Sequence, residues 1–282
     1  CSPPPPPPAS VVKSNVIYNL DGVNVSITSD HYPLYCDFKK PTGLEEYPKA
    51  EGDLRIGNYF LTYCKGTDGV IDYDRVGRIV TKMNADIVCL QGLDKETERS
   101  EGIDQLNVLA QKANMHDYFA KAIDYKGGEF GVGILTKEEP VSVDRYQMAG
   151  KSEMRAAMVV EYEKFVVAST NFDTDMAKRI EALQTLETKL SAYNKPAFLL
   201  GYFNEGDLES EFFQMVKSNW NLLSADKSTE VSGKKRRLDF IISLKSHNVN
   251  VTQADVIESL SGVDVTVAST HYPLFCDFSG LK

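Results

Sequence analysis

The chain predicts an α/β fold in which strands and helices alternate and stack in layers. Three observations predict it. Eight short runs rich in Val, Ile, Leu and Phe are bounded by turn residues, helical spacing appears between several of them, and most of the runs are apolar on both faces. Strands of that kind need helices over one face and a second sheet against the other, which leaves the strand-end loops free for chemistry.

The elements follow in order. LRIGNYFLTY (54–63) reads as a strand, and Val76, Ile79, Val80 and Met83 mark a helix between Asp72 and Ala85. DIVCLQ (86–91) is a buried strand. Ile103, Leu106, Leu109, Ala110 and Ala113 mark a second helix, and FGVGILT (130–136), AAMVVEY (156–162) and KFVVAST (164–170) are strands. Ile180, Leu183, Leu186 and Leu190 mark the longest helix, with Thr174 as its predicted cap. PAFLLGYF (196–203), LDFIIS (238–243) and VDVTVAS (263–269) complete the strands.

Length and composition bound the rest. The 282 residues are 42% hydrophobic and 25% charged, ordinary globular values that exclude global disorder. No run of about 18 apolar residues occurs, so no helix crosses a bilayer. A formal net charge of −9 argues against nucleic acid as a partner, but a few local cations could still hold a small phosphate ester.

The five cysteines show no zinc spacing, and Cys36, Cys89 and Cys276 sit in strand-like apolar settings that predict buried free thiols. Cys1 stands apart. Ser2, six prolines (Pro3 to Pro8), Ala9 and Ser10 follow it, a polyproline spacer that cannot enter a core. A cysteine heading such a spacer resembles a processed bacterial lipoprotein, which implies a lipid on Cys1, membrane attachment and an extracytoplasmic place in the cell envelope. The alternative is an arbitrary chain boundary or a linker remnant.

One stretch occurs twice. Residues 16–38 (VIYNLDGVNVSITSDHYPLYCDF) match residues 256–278 (VIESLSGVDVTVASTHYPLFCDF) at an offset of 240 without gaps, with fourteen of 23 positions identical. VNVSI and VDVTV alternate as strands do, each followed by a His-Tyr-Pro turn. The organisation read from this is a Pro-rich spacer (1–15), an extension that duplicates the C-terminal strand and its loop (16–50), and one domain (51–282). A single strand and loop cannot fold alone, so the extension is the vestige of an upstream domain, an edge strand, or a segment for self-association through residues 16–38.

LRIGNYF, DIVCLQG, FGVGILT, VVASTNFD, FLLGYFN, RRLDFII and STHYPL follow one another over residues 54–274. In that order they resemble the strand-end motifs of the endonuclease/exonuclease/phosphatase family, metal-dependent phosphodiesterases and phosphatases. The resemblance implies a four-layer α/β sandwich. It also implies a site in which Asn, Glu, His, Asp, Asn, Asp and a final Asp-His pair hold Mg²⁺ and activate water.

Carried over position by position, most of that set is replaced. Phe60 stands for the first Asn, Gly92 for the metal Glu, Asn171 for the first His, Tyr202 for the Asp of the GDFN motif, and Thr270 for the Asp of the terminal pair. Asn204, Asp239 and His271 remain, and Arg155 corresponds to a phosphate-facing, substrate-binding Arg. Glycine supplies no ligand atom, and a phenol with a pKa of about 10 cannot serve as the lost carboxylate at neutral pH. Asp94, Asp173 and Glu205 lie near lost positions and are the candidates for relocated carboxylates. The N-terminal copy keeps the pair intact as Asp30 and His31.

Three functions follow as expectations. The first is a catalytically degenerate, envelope-exposed binding or structural module with no cofactor. The second is a Mg-dependent phosphoric ester hydrolase with a rearranged site. The third is assembly by strand exchange of residues 16–38. The basic run Lys234 to Arg237 reads either as a contact for an anionic ligand or as a solvated hairpin tip.

Overall fold

The structure is a computed structural model of the chain. It describes the strand backbones of residues 10–16 and 34–39 and all residues from 46 to 282. Cys1 with its proline spacer, and the Asp30-His31 pair, lie outside the described residues. The chain divides into two units, Cys1–Pro48 and Lys49–Lys282.

The first unit holds two antiparallel strands, β1 (Ser10–Val16) and β2 (Leu34–Lys39). Ser10 lies opposite Lys39 and Val16 opposite Leu34, with a bulge between Val11 and Lys13.

The second unit contains two six-stranded sheets. The first is built from β3 (Leu54–Phe60), β4 (Ile87–Lys95), β5 (His116–Tyr125) and β6 (Gly128–Thr136). The second takes β7 (Ser142–Met148), β8 (Arg155–Glu161), β9 (Val166–Asn171), β10 (Ala197–Tyr202), β11 (Trp220–Leu222) and β12 (Asp239–Leu244). The chain then returns to the first sheet as β13 (Asn250–Val256) and β14 (Leu274–Ser279). The strand orders are β13-β14-β3-β4-β6-β5 and β11-β12-β10-β9-β8-β7, with β3/β4 and β9/β10 the parallel pairs.

The sheets pack face to face over Ile56, Cys89, Ile134, Met158, Phe198 and Ile241. The outer face of the second sheet is covered by α3 and α4, through Leu183, Leu186, Phe212 and Phe213, while α1 and α2 cover the first. Here α1 is Tyr73–Lys82, α2 Gln105–Ala113, α3 Met176–Ser191 and α4 Glu211–Asn219. Helix, sheet, sheet, helix is the predicted layering. Asp72, Asp104, Asp175 and Ser210 cap the four N-termini by accepting from backbone N–H groups that have no partner within the helix. The cap of α3 is therefore Asp175, one residue past the expected Thr174, because the Asp175 carboxylate reaches the N–H groups of both Ala177 and Lys178.

One expected strand is corrected. VDVTV is not a strand but contains a helical turn, α5 (Val265–Ala268). Asp264 caps it, bonding the N–H and hydroxyl of Thr266, and Val265 and Ala268 turn inward three residues apart. The last strand comes later, as LFCDFS, between β13 and β3. There Arg55 of β3 and Asp277 of β14 form a fully buried pair, with Nε and Nη2 each 2.7 Å from a carboxylate oxygen. Cys64, Cys89 and Cys276 are buried free thiols, and burial pushes the Cys89 thiol up to about 12. No helix among the described residues is long and apolar enough to cross a membrane.

Candidate functional site

The candidate residues gather where β3, β4, β9 and β10 end and β12 begins. Phe60 closes β3 and pairs with Gln91, so Gly92 follows on the neighbouring strand. Gly92 sits in a bulge of β4 with φ of +73°, a conformation that favours glycine. The Phe60 ring fills the space before it: a Cβ at residue 92 would lie 3.2 Å from Phe60 Cε2 and 3.3 Å from the Thr62 nitrogen. A side chain there would need the ring or the Thr62 backbone to give by a few tenths of an ångström, in a backbone conformation that strains any residue but glycine.

Tyr202 ends β10 opposite Asp239 of β12, and its ring meets that of Phe60 at 4.6 Å between centroids. His271 completes the cluster at 4.7 Å from Phe60 and 4.8 Å from Tyr202. Three rings in mutual tilted or edge contact thus occupy the end of the sandwich, in the separation range where aromatic pairs attract. Burial and the nearby Asp239 charge both raise the Tyr202 phenol above its usual range, so it stays neutral at physiological pH.

Asp239 is fully buried, and its Oδ2 lies 2.6 Å from His271 Nδ1. Burial works against a charged imidazole, but the charge and hydrogen bond of Asp239 outweigh it, and the His271 pKa is raised. The other Asp239 oxygen, Oδ1, is buried with no protein partner. Thr229 donors and acceptors shape this corner, its hydroxyl accepting from the N–H groups of Leu238 and Asp239. Ser269 anchors the histidine loop, donating to the Phe60 carbonyl at 2.6 Å and accepting from the His271 N–H. Thr229 and Ser269 lay outside the sequence expectations, since a hydroxyl that serves backbone groups carries no motif of its own.

The remaining expected residues are tied up nearby. Thr270 is exposed, its hydroxyl 3.1 Å from that of Thr62. Asn171 lies beside Tyr202 on the parallel strand. Asn204 adopts a left-handed conformation and spends its amide on the Phe172 carbonyl at 2.7 Å, with Asn171 Oδ1 at 3.4 Å. Arg155 is held by Asp173 and Glu153, both at 3.0 Å.

Each candidate for a relocated carboxylate is already matched by an arginine. Asp94, fully buried, accepts from Arg99 at 2.5 and 2.7 Å and from Thr97. Asp173 accepts from Arg155 and from the Lys151 and Asp175 N–H groups. Glu205 pairs with Arg179 at 3.0 Å and bonds the N–H groups of Gly206 and Asp207. The basic run divides likewise: Arg236 grips Glu230 with two bonds and Arg237 binds Asp226 and the Ser224 carbonyl, while Lys234 and Lys235 are exposed. A groove of about 500 Å³ lies alongside, lined by Asn204, Glu205, Asp226, Lys235, Arg236 and Leu238 among others.

The Endonuclease/Exonuclease/phosphatase family profile matches residues 58–262, which include Phe60, Gly92, Asn171, Tyr202, Asn204 and Asp239 and end before Ser269 and His271. The chain belongs to that family. Solved structures agree on the fold. An endonuclease/exonuclease/phosphatase of Beutenbergia cavernae superposes with a TM-score of 0.67 at 17% identity, covering 82% of this chain and 73% of that one. A mannosyl-6-phosphatase of Bacteroides thetaiotaomicron superposes at 0.63 and 16% identity, covering 80% and 99%. A family protein of the same organism gives 0.61 at 15% identity over 82% and 96%. No curated protein sequence matches the chain. Phe60, Tyr202 and His271, which the sequence resemblance set against the family's Asn, Asp and final histidine, are the three rings of the cluster, and Gly92 lies against Phe60.

Proposed function

We propose that this chain is a catalytically degenerate member of its family that serves as a binding or structural module. One observation carries this: the Phe60 ring packed against Gly92, which fills the place of a metal-binding carboxylate with apolar surface. The oxygens left around it do not fit a hard divalent cation. Mg²⁺ wants near-octahedral oxygen donors with one or two carboxylates. Here Asp239 gives one oxygen to His271, Tyr202 is a neutral phenol, and Asn204 turns its amide to the backbone. Asp94, Asp173 and Glu205 would each have to leave an arginine first. The groove beside the cluster, with its exposed Lys235 and paired arginines, supports a role in binding.

A second reading, a phosphoric ester hydrolase with a rearranged site, is favoured by one feature: the buried Asp239–His271 pair keeps an unpartnered oxygen. Hydrolysis of bis(4-nitrophenyl) phosphate with Mg²⁺ or Mn²⁺ separates the two. A degenerate site gives the rate of the buffer blank. Metal-dependent turnover that disappears in Asp239→Ala establishes the hydrolase instead.

A further inference from the structure

The pairing of β1 with β2 and that of β13 with β14 follow the same register at the offset of 240. Ser10 opposite Lys39 corresponds to Asn250 opposite Ser279, and Val16 opposite Leu34 to Val256 opposite Leu274. The bulge falls at the same step in both, between Val11 and Lys13 and between Val251 and Gln253. This likeness reaches past the stretch where the sequences agree. Between residues 10–15 and 250–255 only Val11 and Val251 are identical, yet the strands pair in the same way.

We propose that residues 10–39 are a spare C-terminal hairpin, able to take the place of residues 250–279 beside β3 of the same chain. The side chains that β14 buries are Leu274, Phe275, Cys276, Asp277 and Phe278, and the N-terminal hairpin offers Leu34, Tyr35, Cys36, Asp37 and Phe38. The costliest requirement of that slot is a carboxylate for the fully buried Arg55, since a buried guanidinium without one is strongly destabilising. Asp37 stands at the position of Asp277. Arg55 also lies 4.0 Å from the Phe275 ring, and Tyr35 keeps a ring there. Upstream, the buried Val256, Ile257, Leu260 and Val265 correspond to the identical Val16, Ile17, Leu20 and Val25.

The connection is long enough. Lys49 and Lys282 both bond the Asp86 carboxylate, at 2.8 and 3.0 Å, so the start of the domain lies close to the end of β14. The nine residues 40–48 span up to roughly 30 Å when extended, against the ~5 Å between neighbouring strands. A tether that short also gives the spare hairpin a high effective concentration at its own domain.

The two arrangements exclude one another, because each fills the same edge of β3. The C-terminal one prevails: Tyr35 for Phe275 and Thr28 for Ala268 each bring a hydroxyl to a position that is fully buried. Exchange would replace Thr270 by Asp30 in the loop that carries the histidine.

The test uses the full chain with Asp277→Ala, Asp37→Ala and both together, followed by thermal unfolding and by thiol labelling of Cys36 and Cys276 under native conditions. Asp37→Ala alone leaves the midpoint unchanged. Asp277→Ala lowers it by a few degrees and makes the buried Cys276 reactive, while Cys36 labels more slowly than it does in the natural chain. The double variant falls a further ~10 °C or more, since neither hairpin then offers Arg55 a carboxylate. An Asp277→Ala midpoint equal to that of the double variant, or Cys276 still protected in Asp277→Ala, overturns the exchange. A rescue that grows with protein concentration overturns its intramolecular form.

Discussion

The Phe60 ring stands against the Cα of Gly92, leaving 3.2 Å between Cε2 and the point where a Cβ would lie. The two residues are complementary: the ring fits because residue 92 has no side chain, and glycine suits the left-handed turn of the bulge. Gly92→Glu is therefore expected to destabilise by about 3 kcal/mol, combining left-handed strain with overpacking. Phe60→Asn placed beside it relieves the overpacking, so the pair should cost at least ~1 kcal/mol less than the sum of the single changes. Urea denaturation of the four chains measures the difference.

His271 makes stability depend on pH. Its folded pKa is raised, burial opposing the charge and Asp239 outweighing burial. The Asp239–His271 stabilisation is thus complete below the ordinary histidine pKa of about 6.5 and fades as pH rises through the raised value. Glu230 and Arg236 also act on the ring, but Glu230 is pulled down to about 2 by its Arg236 partner and keeps its charge across this range. Denaturation midpoints between pH 6 and 9 should decline for the natural chain, and the part of that decline owed to His271 should vanish in His271→Asn.

Arg99 neutralises Asp94, whose carboxylate has no solvent exposure. Arg99→Ala strands that buried charge with the Thr97 hydroxyl still donating to it, and is expected to cost about 3 kcal/mol. Asp94→Asn in the same chain should recover part of the loss. Thermal unfolding of the single and double variants reads both numbers.

Tyr202→Asp would place a second carboxylate beside Asp239, with His271 and the more distant Arg236, itself paired with Glu230, to balance them. It is expected to lower stability by about 2 kcal/mol at neutral pH and by less at pH 5, where one of two facing carboxylates takes up a proton more readily. Chemical denaturation at the two pH values checks the sign.

Most of the central strands were legible in the sequence because they are buried on both faces. DIVCLQ and FLLGYF carry unbroken apolar runs, and β4 and β10 are covered by a helix on one side and the other sheet on the second. Of the five strands of the second unit that sequence patterning missed, β5, β7, β11 and β13 are the four sheet edges, and the fifth, β14, lies inside its sheet. HDYFAKAIDY and SVDRYQM mix charge with half-buried positions, so neither a continuous run nor a clean alternation marks them. VDVTV alternated as a strand does, but Asp264 turned it into a capped helical turn, and local capping outweighed period. At the site, the family motifs singled out Phe60, Gly92, Tyr202, Asp239 and His271, and the structure brings these five together. They could not tell that three rings would pack together, nor that Asp94, Asp173 and Glu205 would each meet an arginine, since those partners come from residues with no motif.

Calorimetric titration of the chain with Mn²⁺ tests the closed cleft most directly. Packing of Phe60 against Gly92, with Tyr202 and His271 against Phe60, predicts no saturable heat at a stoichiometry of one, and no difference between the natural chain and Asp239→Ala. Stoichiometric binding that is lost in Asp239→Ala would contradict it.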